Sequence, residues 1–180
     1  SKKYNIPIIE DACQSIGAKF QGKHVGTIGD FGTFSFHETK NIQCGEGGLL
    51  GINSKQFQKR AEIMWEKGTN RAEFFRGDVN KYGWVDIGSS FLPSEITSAY
   101  LYAQLEALDK IQLRRKQIWN RYNDQLTELG ESGVISLPKI PEYATNNAHM
   151  YYLIAQSPDE RTAIIKHLRA NGIHAVFHYL

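Results

Sequence analysis

The chain alternates between two patterns. Short apolar runs are closed by a glycine or a carboxylate, and between them lie longer stretches in which apolar residues recur every three or four positions. The two periods predict a mixed α/β architecture. Ile6-Pro7-Ile8-Ile9-Glu10 reads as a buried parallel strand running into Asp11-Ala12-Cys13-Gln14. Repeated glycines and charges over 17–33 predict a hairpin or a pair of turns. The aromatic run Gly32-Thr33-Phe34-Ser35-Phe36 predicts a second buried strand, and Leu49-Leu50-Gly51-Ile52 a third.

Helical spacing then takes over. Phe57, Ala61, Met64 and Trp65 predict a helix capped by Asn53 or Ser54 and ended by Gly68. A polar loop covers 69–90. Leu92-Pro93-Ser94-Glu95 opens a second helix with the proline in its first turn, and apolar positions Ile96, Ala99, Tyr100, Ala103, Leu105 and Leu108 give it a buried face before a basic continuation over 110–116. Near Gly130 the character changes. Pro138, Pro141 and Asn146-Asn147 form a connector, 149–155 reads as a strand, Ser157-Pro158-Asp159-Glu160 opens a helix closed by Asn171-Gly172, and 173–177 reads as a strand. The division is 1–129 and 130–180, the second part a small α/β unit.

Composition narrows the function classes. With 180 residues, 41% hydrophobic, and a formal charge of +2, the chain carries no polyanion-binding signature, so no nucleic-acid partner is expected. No run approaches a membrane span and no leader pattern is visible, which gives the expectation of a cytoplasmic protein without a membrane partner. Cys13 and Cys44 are too few for a disulfide framework, and the six histidines show no metal-ligand spacing. No metal site is expected.

The chemistry centres on one lysine. Lys40 follows the aromatic strand onto a polar loop closed by Gly45-Glu46-Gly47-Gly48. It reads either as a solvated loop lysine or as a Schiff-base lysine whose partly desolvated amine condenses with an aldehyde. Asp11 stands at the carboxyl end of the first strand, where open α/β sheets place their ligands. An acid on one strand end and an amine on another suit pyridoxal phosphate, which needs a carboxylate at its pyridine nitrogen and a lysine at its aldehyde. Asp11 alternatively caps a following helix. The triplet Asp30-Phe31-Gly32 matches a kinase metal loop, but no other kinase element accompanies it.

The order Glu10-Asp11-Ala12-Cys13-Gln14, then Gly29-Asp30-Phe31-Gly32-Thr33-Phe34-Ser35-Phe36-His37-Glu38-Thr39-Lys40-Asn41, then Gly45-Glu46-Gly47-Gly48 closely resembles the DegT/StrS family of sugar aminotransferases. Glu66-Lys67-Gly68-Thr69-Asn70-Arg71, Phe75-Arg76-Gly77 and 84–90 resemble its dTDP-4-amino-4,6-dideoxygalactose transaminase branch. The resemblance implies a fold-type I pyridoxal phosphate transferase, here a partial large-domain sheet plus a truncated small domain. Against the family, a front segment and a shorter tail are missing, so the chain is expected to be an internal fragment.

The resemblance also implies roles. Lys40 is the catalytic lysine; Asp11, Gln14, Ser35, Lys40 and Ser90 are cofactor contacts; and His37, Asn70, Arg71 and Arg76 are substrate contacts. Glutamate and a dTDP-linked 4-keto-6-deoxy sugar are the implied substrates, a homodimer with shared active sites the implied assembly, and cell-surface polysaccharide the implied destination. Many family members carry Asn where Ser90 stands and Arg where Leu92 stands. Leu92 cannot pair with a phosphate, and galacto and gluco products stay equally open. The competing reading is a non-catalytic, self-associating module.

Overall fold

The computed structural model describes residues 3–177. In chain order the strands are β1 (Ile9–Asp11), β2 (Lys19–Phe20), β3 (Lys23–His24), β4 (Phe31–Ser35) and β5 (Gly48–Ile52). The helices α1 (Lys55–Trp65), α2 (Arg71–Arg76), α3 (Glu95–Glu106) and α4 (Leu108–Glu131) follow. Strands β6 (Ile135–Ser136) and β7 (Ile154–Ala155) and helix α5 (Pro158–Ala170) complete the order.

A three-stranded sheet, β1-β4-β5, carries the candidate site. β1 lies parallel to β4, with Asp11 opposite Thr33, and β4 lies antiparallel to β5, with Ser35 opposite Gly48. The β1-to-β4 crossover holds the β2–β3 hairpin, as the glycine pattern predicts. Glu10 folds that crossover onto the sheet: its carboxylate accepts from the N–H groups of Gly26 (2.9 Å), Ile28 and Gly29 (both 2.6 Å). Close approach demands glycine at two places. A Cβ on Gly32 would run into the Gly26 carbonyl, and Gly26 itself has φ +89° with the Phe34 ring against it.

Helix ends follow their local chemistry. α1 closes with Lys67 and Gly68 both at positive φ (64° and 74°), and the Gly68 N–H returns to the Ile63 carbonyl at 2.8 Å. Ser157 caps α5, accepting from the Glu160 N–H at 3.2 Å, while the Glu160 carboxylate takes the Gln156 N–H at 2.9 Å. Gly172 at φ +78° ends the same helix, and the Ile173 N–H bonds the Leu168 carbonyl at 2.9 Å.

Several expectations change. The strand after Ile6 is parallel, but Ile6, Ile8 and Ile9 are 62%, 44% and 67% exposed, because β1 is an edge strand with no described strand on its outer side. Pro93 lies before the Ser94 cap of α3 rather than in its first turn. The predicted continuous helix breaks at Ala107, which ends α3 and starts α4. The polar loop 69–90 contains the short helix α2. Of the strand expected over 149–155 only Ile154–Ala155 pairs, with β6, and 173–177 forms no strand because both elements end without a neighbour for it. Positions 178–180 lie outside the described residues.

Little is buried. Among the described residues the buried apolar set is Ala12, Phe36, Ile42, Ile63, Ile135 and Ala148. The surface is 13489 Å², against roughly 9,000 Å² for a compact monomer of this mass. Trp84, Ile87 and Ile96 are each more than 80% exposed.

Candidate active site

β1 and β4 end side by side and supply the site's groups. Asp11, the last residue of β1, accepts the Cys13 backbone N–H on Oδ1 at 3.2 Å. The Cys13 thiol, that N–H and the positive charge of Lys40 hold the Asp11 carboxyl below the usual carboxylate range. Burial and the neighbouring Asp11 push the Cys13 thiol up, so it stays protonated and able to donate. Its sulfur lies 3.6 Å from the Thr33 hydroxyl, which donates to the Glu10 carbonyl at 3.2 Å. An ionised acid at the end of β1 thus lies within electrostatic reach of the lysine on the loop after β4.

Past β4 the chain makes a wide hairpin loop into β5, and Lys40 sits on it. The loop neck continues the ladder through Phe36 N–H to Gly47 carbonyl (2.8 Å), Cys44 N–H to Phe36 carbonyl (2.8 Å) and Glu38 N–H to Gly45 carbonyl (2.8 Å). Ser35 Oγ accepts the His37 N–H at 3.3 Å. His37 Nδ1 accepts the Thr39 N–H at 3.2 Å and meets the Thr39 hydroxyl at 2.9 Å, which puts the ring proton on Nε2, facing Glu46 at 3.6 Å. The Lys40 N–H donates to the His37 carbonyl at 2.9 Å, and its side chain is half-buried.

The residues that secure this loop were not among those singled out from the sequence. Asn41, 5% exposed, donates from Nδ2 to Gln112 Oε1 (2.9 Å) and to the Asn147 carbonyl (2.8 Å), and its Oδ1 meets His149 Nδ1 at 3.0 Å. Asn147, 8% exposed, donates to the carbonyls of Gln14 (2.7 Å) and Ile16 (3.1 Å). Gln112 donates to Ile16 at 3.1 Å. The only signal available was the Asn146-Asn147 pair, which reads as connector chemistry.

Gln14 belongs to the same neighbourhood: its carbonyl is held by Asn147, and with Trp119, His149 and Tyr152 it lines a hollow of about 250 Å³. The other expected contacts have partners on α1 and on their own loop. Asn70 Oδ1 accepts the Gly83 N–H at 2.9 Å. Arg71 pairs with Glu66 at 2.8 Å and lies over the Phe75 ring. Arg76 grips Glu62 through two bonds of 2.7 and 3.0 Å and Asp78 through one of 3.1 Å. Ser90 is exposed and bridges Glu66. Among the described residues no cluster of His, Cys, Asp or Glu forms a metal site, and no helix is long and apolar enough to cross a membrane.

The donor set fits pyridoxal phosphate in kind. It offers an ionised carboxylate for a ring nitrogen, an amine for an aldehyde and a hydroxyl at the end of β4 for a phosphate. Comparison with known proteins agrees. The chain is 30% identical to a GDP-perosamine synthase of Caulobacter vibrioides, over 99% of the chain and 47% of that protein. It is 28% identical to a UDP-4-amino-4,6-dideoxy-N-acetyl-beta-L-altrosamine transaminase of Campylobacter jejuni, over 99% of the chain and 46% of that protein. A Streptococcus pneumoniae protein described as a sugar aminotransferase matches with a TM-score of 0.80 at 26% identity, over 97% of the chain and 44% of that one. It has been solved with pyridoxal and with pyridoxamine phosphate, the cofactor of this family. The chain spans a little under half the length of these relatives. The model of the DegT/DnrJ/EryC1/StrS aminotransferase family matches residues 1–180, and the chain belongs to that family.

Proposed function

We propose that this chain carries the catalytic half-site of a pyridoxal phosphate-dependent sugar-nucleotide aminotransferase. Its substrates are a dTDP-linked 4-keto-6-deoxyhexose and glutamate, and its product the 4-amino-4,6-dideoxy sugar nucleotide used for cell-surface polysaccharide. The observation carrying this reading is that the ionised Asp11 carboxylate, at the end of β1, feels the positive charge of Lys40 on the loop that follows the neighbouring strand β4. We place the enzyme in the cytoplasm as a homodimer with shared sites. We also assign 1–129 to a large cofactor-binding domain and 130–180 to a small one.

The cofactor, when bound, supplies an electron sink for the negative charge that develops at the donor's α-carbon. Asp11 keeps the ring nitrogen protonated. Gln14 hydrogen-bonds beside the ring hydroxyl, and Ser35 and Ser90 offer hydroxyls to the phosphate. Lys40 Nζ would hold the cofactor's aldehyde and, when free of it, would serve as the base for the donor Cα proton. His37, Asn70, Arg71 and Arg76 take the sugar nucleotide; the two arginines must first give up Glu66, Glu62 and Asp78.

A second reading, a folded module without catalysis, draws on the exposure of Asp11, since an acid in open water pairs weakly with a ring nitrogen. One experiment separates the two. The chain is mixed with pyridoxal phosphate, reduced with borohydride and mapped by peptide mass spectrometry. A stoichiometric adduct on Lys40, absent in Lys40→Ala, supports the enzyme; scattered labelling of surface lysines supports the module.

A further inference from the structure

Lys40 is fixed along its backbone, and its side chain is half-buried. Its N–H is held by the His37 carbonyl at 2.9 Å, and the next residue is locked by its side chain. The order of that lock can be worked out atom by atom. The Asn147 carbonyl only accepts, so the Asn41 NH₂ group must face it, at 2.8 Å. The same NH₂ reaches Gln112 Oε1 at 2.9 Å, and Gln112 is oriented by its own donation to the Ile16 carbonyl at 3.1 Å. With both donors committed, Asn41 turns Oδ1 to His149 Nδ1 at 3.0 Å, and that ring nitrogen carries the proton. Segments near residues 16, 112 and 147–149 therefore converge on the residue beside the amine.

We propose that Asn41, oriented by Gln112 and His149, is the positioning residue for the Lys40 amine. This rests on the reading of Lys40 as the amine that holds the cofactor. An amine that must hold an aldehyde and then reach a carbon tolerates little displacement; misplacement by about 1 Å costs on the order of 100-fold in rate. Elsewhere the loop around Lys40 is tied at its neck, where the ladder to β5 runs out at Glu38 and Gly45, by the buried Ile42 side chain, and by Gln43 donating to the Tyr100 hydroxyl at 2.9 Å. Of all these ties, that of Asn41 is the one on the residue next to Lys40.

The test uses the full chain as Asn41→Ala, Gln112→Met and Gln112→Glu. Glu at 112 keeps an acceptor facing Asn41; Met removes it. Two ratios are read by peptide mass spectrometry, each comparing Lys40 with the exposed Lys55: trapping by pyridoxal phosphate and borohydride, and acetylation by acetic anhydride without cofactor. Circular dichroism reports folding. With native spectra, Asn41→Ala and Gln112→Met lose about tenfold in trapping preference for Lys40 and change its acetylation ratio, while Gln112→Glu recovers part of both. Native spectra with both ratios unchanged overturn the proposal. If the wild-type chain traps no cofactor on Lys40, the chain alone does not hold the cofactor, the aminotransferase reading passes to the longer protein, and the acetylation ratio alone decides the positioning role. Should Asn41→Ala unfold, the Met and Glu pair at 112 decides it.

Discussion

The side-chain amide of Asn41 donates to the backbone carbonyl of Asn147 at 2.8 Å, across 106 residues of chain. Asn147 in turn ties down Gln14 and Ile16. Asn147→Ala strands the Gln14 carbonyl, while Ile16 keeps the donation from Gln112. One unmet partner costs about 1–3 kcal/mol, and Gln14 is exposed, so the variant should lose about 1–2 kcal/mol of unfolding free energy in a urea titration. A loss under about 0.5 kcal/mol would mean that water substitutes for the amide.

Glu10 predicts an acid limb. Burial alone would raise its pKa, but the N–H groups of Gly29, Gly26 and Ile28 outweigh it and hold the carboxyl below its ordinary value. A depressed folded-state pKa stabilises fully above the unfolded value of about 4.3 and is lost as pH falls through the folded one. Glu10→Gln should therefore lower stability near neutral pH by about 2 kcal/mol and flatten the fall below about pH 4. Asp11 and Asp86 are depressed too, so part of the slope must survive. Denaturant midpoints across the acid range decide it.

Gly32→Ala sets a methyl against the Gly26 carbonyl between β4 and its crossover. Backbone on both sides cannot yield cheaply. A destabilisation of about 3 kcal/mol is expected, read as a lower thermal midpoint. Gly133→Ala, where a Cβ meets nothing but φ is +77°, should lose less.

Arg76 holds Glu62 and Asp78 on an exposed surface, and those acids keep its guanidinium more basic than usual. Exposed pairs contribute little, so Arg76→Lys should lower the denaturant midpoint only slightly. In about 1 M salt, where charges are screened within about 3 Å, the difference should vanish. A larger, salt-independent loss would show that the arginine packs rather than pairs.

The strand-turn-strand frame was legible because each of its signals is local. The apolar run closed by Asp11, the aromatic run and the glycine pairs each signal over a few neighbouring positions, and β1, β4 and β5 fall where those signals put them. The cap at Ser157 was legible for the same reason, whereas the cap at Ser94 was not, because the proline before it was read as the first helical turn. What the pattern could not give was partnership. The burial of Asn41 and Asn147 depends on who faces them, and a polar residue in a loop carries no mark of a partner a hundred positions away. Ile9 looked buried because its run is apolar, yet the chain has no described strand or helix to cover it. The 173–177 segment has strand composition without a strand beside it.

The same long-range amides set an order of events in folding. The ladder from Phe31 to Ile52 needs only nearby sequence and can zip early. Asn41 must wait for residues 112 and 147–149 to be made and brought back. During synthesis there is thus an interval in which Lys40 exists on a formed hairpin but swings freely. A chain released before residue 147 would hold the right amine in an unfixed place.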